Sequence, residues 1–176
     1  MGSKICFMFG HADCPDDMLP KIEAAIEEIY EQQEVSVFYV GDRGRFDGLA
    51  TTAVKRAKMR HPDIQLHLLL AYHPGERAVS LTDGFDGSYY PPLEGVPRQY
   101  AIVRANKFMI GSADSFICYV KHLGNTRKLL EHAQKRQQKE GIGLVSFVGG
   151  IKPVNIGAFV FPLLVSGIFF WLYKKK

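Results

Sequence analysis

Short apolar runs alternate along this chain with longer amphipathic segments, and this alternation is the strongest constraint on its fold. Five runs typical of buried strands cover residues 4–10, 35–41, 64–72, 115–120 and 143–149. The segments between them carry apolar residues three and four positions apart, which predicts helices. Alternating strands and helices build βαβ units with right-handed crossovers. We therefore expect an α/β fold, with a parallel sheet of about five strands and helices on both faces.

The apolar periodicity places four helices between these strands. They are predicted at residues 18–33 and 46–60, within residues 98–113, and within residues 122–141. Residues 73–99 show neither the helical nor the strand period of apolar residues, so they are predicted to be irregular. A loop of that length in a compact domain is usually functional.

The C-terminal segment differs from the rest of the chain. Residues 156–173 carry no charge and span roughly 27 Å as a helix, close to the thickness of a bilayer core. Trp171 and Tyr173 favour the membrane interface. The alternative, a buried helix, normally keeps a polar face that this segment lacks. The expected organisation is a globular domain at 1–150, a linker at 151–155, a transmembrane helix at 156–173 and a basic tail at 174–176.

The net charge and the cysteine content limit the functions that the chain is expected to have. A net charge of +4 without a broad basic face does not indicate nucleic-acid binding. The three cysteines lack metal-ligand spacing, so we expect no metal site, no disulfide framework and a reducing compartment. Cys14 lies in a predicted loop and is expected to be exposed. Without a signal peptide, the globular domain is expected in the cytoplasm, anchored to the membrane. The sequence indicates no cofactor and leaves a homo-oligomer open.

Four loops leave the carboxyl ends of the predicted strands. They are residues 10–15, residues 41–47, the segment from residue 72 onward, and residues 121–126. Ligands of open parallel sheets bind beyond the carboxyl ends of the strands, so we expect these loops to meet at one rim.

The loop after the second strand has the features of a phosphate-binding turn. Gly41 and Gly44 permit close backbone approach, and the following helix start offers main-chain N–H groups to an anion. Arg43 and Arg45 can add charge-assisted contacts. Asp47 can cap the helix or bind a ribose hydroxyl. The alternative is a plain strand–helix turn, because the spacing matches neither a P-loop nor GxGxxG.

Two further loops carry candidate residues. His11 and Asp13 follow the first strand, where a histidine is either structural or functional. Gly124, Asn125 and Thr126 precede the last helix. Asn125 or Thr126 is a plausible N-cap, and the alternative is a second phosphate or ribose contact at the positive end of that helix.

Four segments together resemble a known family. In order they are "FGHADCP", "YVGDRGRFDGLATTAVKRAK", "ANKFMIGSADSFICYV" and "GNTRKLLEHAQKR". They are similar to the DUF1273/YpsA-like branch of the SLOG superfamily, which includes the DprA/Smf proteins and the LOG-type nucleotide hydrolases. The resemblance covers residues 4–148.

The resemblance implies a Rossmann-like sheet that binds a nucleotide or a nucleotide-derived ligand. It also implies a sensing role of the kind associated with bacterial stress and anti-phage signalling, sometimes coupled to membrane segments. The candidate ligand-binding residues from the loops and the resemblance are Gly10, His11, Asp13, Gly41, Asp42, Arg43, Gly44, Phe46, Asp47, Arg104, Asn106, Gly124, Asn125 and Thr126.

Departures from the family pattern bear on catalysis. Ala105 stands where the family often has arginine before asparagine, and the usual Gly-Gly-Thr turn reads Gly-Asn-Thr. Leu129 stands where the LOG hydrolases carry their glutamate. These differences favour binding and sensing over turnover.

Two alternatives to sensing remain. A nucleotide N-glycosidase needs a carboxylate over the ribose, for which Asp13, Asp47, Asp114 and Glu131 are candidates. The other alternative is a membrane-associated scaffold that binds no ligand.

Overall fold

Six parallel strands form one sheet in the computed structural model, which describes residues 3–76, 79, 81 and 83–148. The strands are β1 (Lys4–Gly10), β2 (Val35–Val40), β3 (Gln65–Leu69), β4 (Gly87–Tyr89), β5 (Ser115–Val120) and β6 (Gly143–Val148). The helices are α1 (Leu19–Gln33), α2 (Arg45–Arg60), α3 (Ala101–Ser112) and α4 (Asn125–Glu140), with single 3₁₀ turns at Asp16–Met18 and Arg98–Tyr100. The predicted α/β class and parallel sheet are confirmed.

The strand order is β4-β3-β2-β1-β5-β6, and every neighbouring pair is parallel. The chain therefore builds outward from β1 through β4, then crosses back to place β5 on the other side of β1. Helices α1 and α2 cover one face, and α3 and α4 cover the other. This is a doubly wound, Rossmann-like arrangement.

Side-chain alternation along β1 divides the core in two. Cys6 and Met8 pack under α1 and α2, whereas Phe7 and Phe9 pack under α3 and α4. Successive strand residues point to opposite faces, so a strand apolar at every position must be covered on both sides. The apolar run that predicted β1 therefore also accounts for helices on both faces.

β4 is the strand that the sequence did not predict. It lies within the stretch expected to be irregular and pairs three residues with β3 at the sheet edge. Asp86 fixes its start, because the main-chain N–H of Leu66 donates to the Asp86 carboxylate at 2.7 Å. Three residues are too few to show a strand period, which is why the pattern missed it.

The expectation that Cys14 is exposed is wrong. It lies in the loop after β1 as predicted, but its side chain is buried in the core under α1 and α2 rather than exposed. Burial raises the pKa of its thiol to about 11. Cys6, Cys14 and Cys118 are all free and buried.

No helix among the described residues is long and apolar enough to cross a membrane. The predicted linker 151–155, transmembrane helix 156–173 and basic tail 174–176 lie outside the described residues.

Asp114 ties together the amino ends of β1 and β5. Its main-chain N–H donates to the Ile5 oxygen, and the Ile5 N–H donates to its carboxylate, both at 2.8 Å. These reciprocal bonds set the register of the two strands at the edge opposite to the rim where ligands are expected.

Arg136 joins α4 to the end of α3. Its guanidinium donates to the main-chain oxygens of Ile110 at 2.8 Å and Ala113 at 2.7 Å. The last carbonyls of a helix have no partner within the helix, so this side chain satisfies groups that would otherwise lose hydrogen bonds on burial.

Replacing Arg136 with methionine should therefore lower the free energy of unfolding by about 1–3 kcal/mol, because two carbonyls lose their charged donor. Urea unfolding measures the change. Arg127→Met is the matched control, since Arg127 lies on the same helix and forms a surface ion pair with Glu131, 3.7 Å away. The control should change stability by less than about 0.5 kcal/mol. Equal losses in the two variants would contradict the role assigned to Arg136.

Candidate functional site

A cleft of about 270 Å³ opens at the carboxyl ends of β1, β2 and β3. The first turns of α2 and α4 and one side of α3 complete its walls. The strand order reverses between β1 and β5, and ligands of open α/β sheets bind outside the strand ends at such a switch point. We call this cavity the switch-point cleft.

Ten of the fourteen predicted residues line the switch-point cleft. They come from the loops after β1 and β2, from α3 and from the start of α4, whereas the loop that begins at residue 72 contributes none of them. These ten are Gly10, His11, Gly41, Asp42, Arg43, Gly44, Asp47, Asn106, Asn125 and Thr126.

Four predicted residues do not line the cleft. Phe46 is fully buried behind Gly10, and Arg104 is exposed on α3. Asp13 forms an ion pair with Lys121 at 2.9 Å outside the cleft. Gly124 is the N-cap residue of α4, with φ at +142°, next to Asn125, which does line the cleft.

Close backbone approach explains two of the glycines. A Cβ at Gly10 would lie 2.3 Å from Cγ of Phe46, and a Cβ at Gly44 would lie 2.6 Å from Cα of Ala12. The main-chain N–H of Arg45 donates to the Ala12 oxygen at 3.1 Å. The start of α2 therefore packs directly on the end of β1, and only glycine allows this contact.

Asp47 closes the loop at the start of α2. Its carboxylate accepts the main-chain N–H of Arg43 at 2.8 Å. A Cβ at Gly41 would lie 2.8 Å from the same carboxylate, so Gly41 leaves room for it. Burial raises the pKa of Asp47 from its ordinary 3.8 to about 6, and the charge of Asp42 adds to the effect. The Arg43 N–H and guanidinium oppose it.

The start of α4 resembles that of α2 in having a glycine N-cap and no side-chain cap, but it has no acidic residue in its first turn, where α2 has Asp47. The N-cap of α4 is Gly124, so the prediction that Asn125 or Thr126 is the N-cap is wrong. Both of these residues are instead in the first helical turn and line the cleft. The first N–H groups of a helix have no partner within it and carry its positive dipole end. The cleft therefore meets an uncapped helix terminus at α4.

His11 brings a neutral imidazole to the cleft. Its Nδ1 accepts the main-chain N–H of Lys121 at 2.9 Å, which leaves the proton of the neutral ring on Nε2. Burial, and then the neighbouring His122, lower the pKa of His11 below its ordinary 6.5. The two rings lie against each other at a tilt of 34°, with centroids 3.8 Å apart. His11 is therefore a hydrogen-bond donor of fixed orientation at neutral pH.

The two arginines of the β2 loop have different roles. Arg43 lines the cleft, where its Nε pairs with the Asp42 carboxylate at 2.8 Å. Arg45 points away and pairs with Asp16 at 2.6 Å. Of the two, the structure places only Arg43 where it can contact a ligand in the cleft.

The remaining candidate carboxylates lie elsewhere. Asp114 is at the amino edge of the sheet, across the sheet from the switch-point cleft. Glu131 is exposed on α4 and pairs with Arg127. Asp13 lies near the rim with Lys121 and His122. Asp47 is thus the one carboxylate of the four proposed that lines the cleft.

The sequence missed the apolar wall of the cleft. The pattern predicts Phe7 and Phe9 only as residues of a buried strand, and the candidates in the third predicted helix, Arg104 and Asn106, are polar. Lining side chains that the sequence did not single out include Phe7, Phe9, Leu69, Ile102 and Val103. The right-handed crossover between parallel strands could have indicated this apolar wall, because it places α3 across the end of β1. Within the described residues, no group of three or more His, Cys, Asp or Glu side chains is arranged to hold a metal ion.

No model of a known protein family matches the chain, and a search of curated proteins finds no significant match.

Proposed function

We propose that the chain binds a nucleotide or a nucleotide-derived small molecule in the switch-point cleft. One observation carries the proposal: the uncapped amino terminus of α4 and the carboxylate of Asp47 line the same cleft at the reversal of strand order. A nucleotide has an anionic end and a hydroxyl-rich ribose, and these two features of the cleft suit them separately.

The phosphate belongs at α4 rather than at α2. The Asp47 carboxylate already accepts the Arg43 N–H at the start of α2, so a second anion there would meet like charge. At α4 the main-chain N–H groups, Asn125 and Thr126 can receive phosphate oxygens. Arg43 adds positive charge to the cleft, and the Asp47 carboxylate can accept ribose hydroxyls there.

Sensing is the role that fits this site best. The chain resembles the DUF1273/YpsA-like branch of the SLOG superfamily over residues 4–148, and it departs from the LOG hydrolases at Leu129. The apolar segment 156–173 supports a membrane anchor with the globular domain in the cytoplasm. In this proposal ligand occupancy is passed to the anchor or to another copy of the chain.

A second candidate, a nucleotide N-glycosidase, is favoured by the pKa of Asp47. A cleft carboxylate with a pKa of about 6 is suited to exchange protons near neutral pH. It is the one candidate carboxylate that the structure brings to the place where a ribose is proposed.

Arg43 provides the direct test of binding. Thermal shift and calorimetric titration of the full-length chain with nucleoside phosphates, cyclic nucleotides and nicotinamide dinucleotides should identify a ligand. Arg43→Ala should weaken that ligand about 10- to 100-fold, because a charged hydrogen bond to phosphate is lost.

Arg45→Ala is the matched control for Arg43→Ala. Arg45 is two residues away, pairs with Asp16 and does not line the cleft. It should leave affinity unchanged. No binding by any ligand of the panel would overturn the proposal and favour the scaffold alternative.

Turnover separates the two candidates. A sensor should leave the bound nucleotide intact, as read by chromatography of the titrated samples. A glycosidase should release free base, and Asp47→Asn should abolish that release because asparagine cannot transfer the proton. Base release that persists in Asp47→Asn would remove Asp47 from the reaction.

Asp47 should also make stability depend on pH. Its pKa in the folded chain lies above that in the unfolded chain, so the folded chain loses stability as pH rises from about 4 to about 6. Asp47→Asn keeps an acceptor for the Arg43 N–H without the charge. Above pH 6 it should be more stable than the native chain by about 1–3 kcal/mol, an advantage that disappears near pH 4. Urea unfolding at both pH values measures this, and a less stable Asp47→Asn at pH 7 would contradict it.

A further inference from the structure

A second cavity of about 240 Å³ lies beside the switch-point cleft. It is formed by the segment after β3 and the segment between β4 and α3. Ala71 lines both cavities. We call this cavity the side cavity.

Tyr72 links the two cavities. The guanidinium carbon of Arg43, from the switch-point cleft, lies 5.2 Å from the centre of its ring. The guanidinium carbon of Arg98, from the side cavity, lies at the same distance. Cation–π contacts of this kind hold an aromatic ring in place and leave the N–H edges of the guanidinium groups for other partners. The side cavity therefore opens next to the proposed phosphate and ribose site.

Size favours one ligand across both cavities. Small-molecule sites usually measure about 300–1,000 Å³. Each cavity alone falls below that range, whereas the two adjoining cavities together fall within it.

The side cavity combines flat aromatic surface with charges of both signs. Tyr72 and Tyr90 supply the rings, Glu76 and Glu94 the carboxylates, and Arg98 the guanidinium. Burial, and then the charges of Glu94 and Glu76, raise the pKa of Tyr90 above its ordinary value, so both carboxylates act on this ring. Carboxylates only accept hydrogen bonds and a guanidinium only donates them.

We propose that the side cavity holds the base of the nucleotide and that this base is guanine, an inference that rests on the proposed function. Guanine presents two adjacent donors, N1–H and the N2 amino group, which suit a carboxylate. It also presents two adjacent acceptors, O6 and N7, which suit an arginine. Adenine places an acceptor, N1, beside its amino group, and that acceptor would face a carboxylate unpaired.

The charge distribution fixes the direction of the ligand. Glu76 and Glu94 make the side cavity unfavourable for phosphate, whereas the start of α4 favours it. The phosphate therefore lies at α4 and the base beyond Tyr72.

Calorimetric titration of the full-length chain with GMP, IMP, AMP, their diphosphates and ribose 5-phosphate tests the proposal. IMP lacks only the N2 amino group of guanine. Guanine nucleotides should bind at least about 10-fold more tightly than the inosine and adenine nucleotides, because the carboxylates lose a donor with each of these. The double variant Glu76→Gln, Glu94→Gln should remove this preference and leave ribose 5-phosphate affinity unchanged. Glu131→Gln, outside both cavities, is the control and should change nothing.

The outcomes separate the base assignment from the proposed function. Adenine nucleotides binding as tightly as guanine nucleotides would overturn the base assignment alone. A guanine preference that survives in the double variant would also overturn it. If neither the nucleotides nor ribose 5-phosphate bind, the base assignment fails, and the proposed function fails with it when the cyclic nucleotides and nicotinamide dinucleotides also do not bind.

Discussion

The packing of the first turn of α2 on the carboxyl end of β1 determines the shape of the candidate site. Gly10 makes room for Phe46, and Gly44 makes room for Ala12, so the two elements approach within distances that no Cβ would allow. The Arg45 N–H to Ala12 oxygen bond then fixes the approach. Because of this contact, Asp47 and the loop before it stand at the wall of the cleft, beside the reversal of strand order.

The sequence predicts the features that depend on periodicity and chain order, and it fails where long-range packing decides. β1, β2 and β5 are recognisable because each is a continuous apolar run, and a run apolar at every position requires helices on both faces. β4 is recognisable only through its pairing with β3, which no local pattern encodes. Cys14 looks like an exposed loop residue, yet the loop folds inward over the core.

In the candidate site, too, the sequence predicts what depends on chain order and fails where packing decides. The loops after β1 and β2 could be assigned because parallel strands send their carboxyl ends to one rim. The roles of individual residues depended on geometry that spacing does not contain. Arg43 and Arg45 are equivalent in the sequence, but only Arg43 lines the cleft. Asn125 has the chemistry of a helix cap, yet Gly124 occupies the N-cap position and leaves the terminus of α4 open.

The charge of Asp47 is the feature that packing alone does not explain. An asparagine could also accept the Arg43 N–H, and it would avoid the cost of ionising a carboxyl whose pKa burial raises to about 6. Folding therefore favours a neutral side chain here at neutral pH, yet the chain carries an acid. A group that lowers stability while lining the cleft is the expected mark of a functional site. Ribose hydroxyls supply a reason for the charge, since they donate to a carboxylate more strongly than to an amide.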